Sequence, residues 1–156
     1  MRATTRDDGF TLIEVMVVIV IFGVLMAITV TRYDQWQAAS DQSGTANEIE
    51  ALLRSTHQRA ITDGAALCVL FDTTADEYAV RQGGCASPGA VVDGPRDVAG
   101  SGTHLASPTF TGSGGDGVVF YARGTATGGS LKVTRDGSDK TYTVHVEQLT
   151  GRVTVS

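Results

Sequence analysis

Basic charge, cysteine and histidine are all scarce in this 156-residue chain, and each shortage narrows what it does. Lysine and arginine number 12 against 17 aspartates and glutamates, for a net charge of −5; residues 31–156 alone carry 10 basic and 14 acidic side chains, for −4. A polyphosphate partner would need a local basic patch working against that background, and the linear sequence contains none. The three histidines, His57, His104 and His145, are too scattered for a triad or a metal cluster, and neither H-E-x-x-H nor G-x-S-x-G occurs. Two cysteines without histidines at ligand spacing cannot complete a tetrahedral metal site. The expectation is a non-enzymatic protein with no cofactor and no metal. Its length suits one domain plus an appendage.

Two stretches imitate chemical motifs. "GSGGDG", residues 112–117, satisfies G-x-G-x-x-G, but "VVFYA" follows it and reads as a strand, whereas a nucleotide fingerprint needs a helix there to face the pyrophosphate. "RDGSDK", residues 135–140, is acidic but lacks the spaced ligands and closing glutamate of a calcium loop, and a hairpin turn explains Asp136 and Gly137 directly.

Polar residues are almost absent from one long run. From Phe10 to Val30 only Glu14 is ionisable; as a helix these 21 residues rise about 31 Å, the thickness of a bilayer's hydrocarbon core. Arg2 and Arg6 before the run favour a cytoplasmic N-terminus. The run is too long for a cleaved secretory signal. A plain signal anchor accounts for the length but leaves Glu14 to chance, and a carboxylate in a membrane helix costs a few kcal/mol unless it has a partner. For a domain sent across the membrane, Cys68 and Cys85 read as one disulfide closing a loop of about 17 residues, with about 3 kcal/mol of stabilisation. Two separate buried thiols are the alternative.

Beyond the run, residues 31–63 continue as a helix. Ile49, Leu52, Leu53, Thr56, Ala60 and Ile61 recur at three- and four-residue spacing, a stripe suited to packing on a sheet. Gly44 is a weak point and Gly64 a C-cap. Tyr33 and Trp36 sit where rings favour a membrane interface, or pack between subunits. After Gly64 the period changes to two. "AALCVLF" and "EYAVRQ" form strands around the turn "DTTAD"; "GVVFYARG", "GSLKVTRDG", "KTYTVHVEQ" and "GRVTVS" give four more. Residues 83–117, rich in Gly, Ser, Pro and Asp, read as long loops with one or two short strands. The fold class is α+β: one long helix packed on a C-terminal antiparallel sheet, residues 64–156.

"GFTLIEVMVVIVIFGVLMAITV" closely resembles the signal of type IV prepilins and type II secretion pseudopilins, with a glycine, a phenylalanine and a glutamate five residues after the glycine. "ANEIEALLRSTHQRAITDG", "VVFYARG" and "LTGRVTV" are similar to the minor pseudopilin H and FimT branch of that family. The resemblance implies a pilin-like filament subunit, of a secretion pseudopilus or a type IV pilus, in the bacterial inner membrane with its globular domain extracytoplasmic. Prepilin peptidase would cut between Gly9 and Phe10, remove the leader 1–9 and methylate the Phe10 amine. Glu14 would then neutralise the amine of a neighbouring subunit. The implied partners are the peptidase, other pilin or pseudopilin subunits and an inner-membrane assembly platform. Pilin-like chains often carry a proline after the apolar run; here Thr31 and Arg32 stand there. Some FimT-like pilins contact DNA through Gly-Arg-x-Arg near the C-terminus; this chain reads Gly151, Arg152, Val153, Thr154, so Arg152 reads first as a hairpin residue and second as a DNA contact in a competence pilus. A membrane-anchored binding module that never polymerises is the remaining rival.

Overall fold

The computed structural model describes residues 11–98, 102–112 and 116–156, and the side chains of these except at 28–39. One helix, α1 (Leu12–Asp63), precedes eight strands: β1 (Leu67–Asp72), β2 (Glu77–Gln82), β3 (Val91–Asp97), β4 (Thr103–Phe110), β5 (Gly117–Phe120), β6 (Gly129–Arg135), β7 (Tyr142–Val146) and β8 (Val153–Val155). The chain divides into two units, Met1–Gln37 and Ala38–Ser156.

In the second unit the helix ends where Gly64 predicts. Gly64 adopts φ 64°, its N–H donates to the Ile61 carbonyl, and the Ala65 N–H reaches back to the Ala60 carbonyl. These two bonds satisfy carbonyls that the last helical turn leaves free, and the left-handed conformation suits a residue without Cβ. The stripe expected on the helix is buried at Ile49, Leu53, Thr56 and Ala60, and half-buried at Leu52. Ile61 departs from it: at 41% exposed it lies in the final turn beside Gly124, off the main core. The stripe also starts earlier than the apolar residues suggest, because Gln42, Thr45 and Ala46 are buried. The Gln42 amide donates to the carbonyls of Val133 and Lys140, at 3.1 and 2.8 Å, which anchors the helix to β6 and the segment after it.

The single sheet expected from the strand pattern is two four-stranded antiparallel sheets, ordered β3-β2-β1-β5 and β4-β6-β7-β8. Both supply one core with the helix: Val69, Phe71, Val80 and Phe120 from the first sheet, Leu131, Val133, Val144 and Val153 from the second, Ile49 and Leu53 from α1. The stretch 83–117 contributes an edge strand to each sheet, and β4 is eight residues long, more than the short strands expected there. Edge strands carry little apolar signal because one margin faces solvent, and prolines are tolerated there. Pro95 in β3 and Pro108 in β4 obey that rule, while the β4–β6 register shifts between Ala106 and Thr109 around Ser107, which has positive φ.

Cys68 and Cys85 are joined as a disulfide, with Cα atoms 5.3 Å apart. Together with Val119 they form a second small cluster on the face of β1 and β5 turned away from the main core. Replacing both by alanine is expected to lower unfolding stability by about 3 kcal/mol through the loop entropy returned to the unfolded chain. Urea denaturation of the variant against oxidised wild type checks this; equal midpoints would contradict it.

Candidate functional site: an apolar helix start bearing one carboxylate

Thr11 caps α1. Its hydroxyl oxygen accepts from the Glu14 N–H at 3.3 Å and its carbonyl accepts from the Glu14 and Val15 N–H groups. This places Glu14 at the third helical position, where a carboxylate also complements the positive end of the helix dipole. From Thr11 to Ala27 every side chain is exposed, including Leu12 at 77% and Phe22 at 60%. A helix apolar all round is stable only when other apolar groups surround it. Among the described residues no cation pairs with the Glu14 carboxylate. Gly9 and Phe10 lie outside the described residues, as do the side chains of Tyr33 and Trp36. Among the described residues no helix is long and apolar enough to cross a membrane. The apolar side chains described there stop at Ala27, three residues short of the end of the run in the sequence.

Arg152 is exposed on the approach to β8, in the second unit, whereas Glu14 belongs to the first. Its N–H donates to the Thr150 hydroxyl and its carbonyl accepts from the Glu147 N–H, so its backbone belongs to the β7–β8 turn. Preceding it, Gly151 has φ 62° and packs on the His57 ring, where an added Cβ would lie 2.6 Å from Nε2. His57 also bonds the Gly124 carbonyl at 3.0 Å and rests 5.3 Å from the Phe120 ring. The Thr-Gly-Arg-Val stretch is thus held against the helix by its glycine, while the arginine faces solvent. His145 is exposed, as its alternation with valines predicts.

Sequence reading missed the polar ties across the globular unit. The Tyr78 hydroxyl donates to Glu48 of the helix at 2.8 Å; burial, then that carboxylate, push the phenol's pKa well up. Asp76, with positive φ in the β1–β2 turn, accepts from the Leu105 N–H and holds His104 Nδ1 at 2.7 Å, while His104 Nε2 lies 3.3 Å from Asp136. His104 therefore bridges the turns of two sheets. No spacing in the sequence signals these ties, because every partner is at least 28 residues away.

Hydrogen bonding to Asp76, then to Asp136, raises the His104 pKa. The stabilisation belongs to the protonated form, so it is fully present below the unfolded value near 6.5 and fades as pH rises through the higher folded value. The melting temperature of wild type should exceed that of His104→Gln below pH 6 by more than at pH 9. A difference independent of pH would refute the charged bridge.

Residues 4–30 match the prokaryotic N-terminal methylation motif, and residues 45–150 match the family described as type II transport protein GspH. Among curated relatives, the type IV major pilin protein PilA of Myxococcus xanthus is 43% identical over 51 residues, 33% of this chain and 23% of that protein. The type II secretion system core protein G of Escherichia coli is 44% identical over 52 residues, 33% of this chain and 36% of that one. The chain thus spans well under half the length of the curated relatives it matches. The solution structure of E. coli GspH superposes with a TM-score of 0.58 at 16% identity, covering 76% of this chain and 90% of that one. The minor pseudopilin EpsH of Vibrio cholerae gives 0.56 at 15% identity over 74% and 96%, and the type IV minor pilin FimU of Pseudomonas aeruginosa 0.54 at 18% over 78% and 92%. These structures share the fold of one helix packed on antiparallel strands. With its GspH match spanning most of the globular unit and a methylation motif ahead of it, the chain belongs to the GspH family, the minor pilins and pseudopilins of type II secretion and type IV pilus systems.

Proposed function

We propose that this minor pilin or pseudopilin is cut between Gly9 and Phe10 by a prepilin peptidase, methylated at Phe10 and assembled through residues 10–30 into a filament. Before assembly the apolar helix sits in the inner membrane, with the N-terminus cytoplasmic and the globular unit outside. Its role is structural: it supplies a helix to the filament core and a sheet domain to the surface, and partner proteins of the assembly platform supply the energy.

The observation that carries this reading is the exposed apolar helix start with one carboxylate, at its third position, that pairs with no cation among the described residues. Such a surface needs covering by apolar neighbours, and the charge within it needs a cation from one of them. The amine of a processed neighbouring subunit has that charge and, through helix stacking, that depth. A DNA-binding role gains less support, since the domain is acidic, the second arginine of Gly-Arg-x-Arg is Thr154 here, and Glu147 lies in the same turn as Arg152.

The test is recovery of the chain in sheared filaments from cells expressing a secretion or pilus system. Its presence there should depend on an active prepilin peptidase. Confinement to the membrane fraction in cells that do shed filaments would favour the non-polymerising anchored module.

A further inference from the structure

An open groove of about 500 Å³ lies on the face of the first sheet turned away from the helix. Its floor follows from strand alternation. Val69, Phe71, Tyr78 and Val80 point into the core, so Leu70 and Asp72 of β1 and Glu77, Ala79 and Arg81 of β2 point the other way. The register sets them in rows: Asp72 opposite Glu77, Leu70 opposite Ala79, and Cys68 opposite Arg81. Asp116, just before the glycine that pairs with Leu70, adds a third carboxylate to the acidic end. The groove therefore has carboxylates at one end, a small apolar floor, and a guanidinium at the other end.

Both ends are prepared for a ligand. Asp72 uses Oδ1 to accept from the Thr74 and Ala75 N–H groups, which hold its carboxyl below the usual range, and among the described residues Oδ2 accepts no hydrogen bond. Arg81 Nε is buried and has no hydrogen-bond partner among the described residues. A shielded guanidinium nitrogen without an acceptor is unfavourable, and rotation of the Arg81 side chain onto a carboxylate in the fork geometry of arginine would relieve it.

We propose that this groove binds an extended segment of a partner polypeptide, with a basic side chain against Asp72, Glu77 and Asp116 and a carboxylate on Arg81. Four residues separate Glu77 from Arg81 on β2, roughly 13 Å, which is the spacing of side chains four apart on an extended peptide. A free amino acid, whose charges are adjacent, cannot reach both ends. A second copy of this chain is disfavoured, because residues 31–156 carry −4 and the groove's own carboxylates outnumber its one guanidinium three to one. The partner is therefore a different protein with opposite charges four residues apart in an exposed, extended stretch.

The test is ¹⁵N NMR of the full chain in detergent micelles, titrated with the blocked heptapeptide Thr-Lys-Thr-Val-Thr-Asp-Thr, its order-reversed form, and a neutral control with Gln and Asn replacing Lys and Asp. At least one charged peptide should shift the Leu70 and Ala79 amides and the Arg81 Nε–H saturably, and the control should not. Arg81→Gln and, separately, Asp116→Asn should each weaken binding about tenfold, with amide shifts away from the groove unchanged. Asp116 is exposed, so that variant keeps the comparison open should Arg81→Gln perturb folding. No saturable shift at millimolar peptide, equal binding of the neutral control, or undiminished affinity in the folded variants would overturn the proposal.

Discussion

Glu14→Ala is expected to leave cleavage and methylation intact and to remove the chain from filaments, reducing its recovery in the sheared fraction at least about tenfold. The expectation rests on where the carboxylate stands. In the single chain it is exposed on a helix start apolar on every side, so its loss leaves the packing of the globular unit untouched. Once helices stack, that position becomes a low-dielectric interior, where an ion pair is much stronger than in water and an unpaired charge is expensive. In the proposed filament, loss of Glu14 would leave the neighbour's amine as the unpaired charge. A tenfold loss corresponds to about 1.4 kcal/mol, well within what breaking a buried pair costs. Glu14→Gln separates charge from shape: it keeps the side chain's size and should fail almost as completely. Melting of both variants should match wild type. Normal incorporation of either would mean that the Glu14 carboxylate has no part in assembly, since the N–H that bonds Thr11 is backbone and survives both substitutions.

Phe120→Ala should destabilise the globular unit by about 3–5 kcal/mol, the usual cost of removing a buried aromatic ring. Phe120 is fully buried at the end of β5, pairs with Leu67 of β1, bridges to Ala126 and lies beside His57 of the helix. No neighbouring chain segment is free to collapse into the space, since helix, sheet and the 121–127 turn all meet there. Against a typical total of 5–15 kcal/mol, that loss brings the domain near its unfolding threshold. Denaturant titration measures it directly; a loss under about 1 kcal/mol would show that the ring is less enclosed than its burial indicates.

The elements with a strong local period were legible from the sequence. The helix end at Gly64 and strands β1, β2, β6, β7 and β8 follow from apolar spacing and turn residues, because burial on one face imposes that spacing. "GVVFYARG" overstated its strand, which stops at Phe120 because Tyr121–Gly124 turns back to put Ala126 beside it. Partition into two sheets was not legible, since β3 and β4 are edge strands with mixed burial and contain prolines. Gln42 was invisible for a related reason: a glutamine interrupts the apolar stripe, and only the carbonyls of Val133 and Lys140 make its burial favourable. At the candidate site, Glu14 stood out because one charge in a long apolar run calls for a partner. The groove over β1 and β2 did not, because its residues gather only through strand register.

Processing at Gly9 is the step on which the proposed assembly depends. Its most direct test is the intact mass of the full chain co-expressed with a prepilin peptidase, beside a Gly9→Ala variant. Wild type should lose Met1–Gly9 and gain one methyl group, and the variant should stay uncleaved. An uncut wild-type chain, under conditions that process a control prepilin, would contradict it.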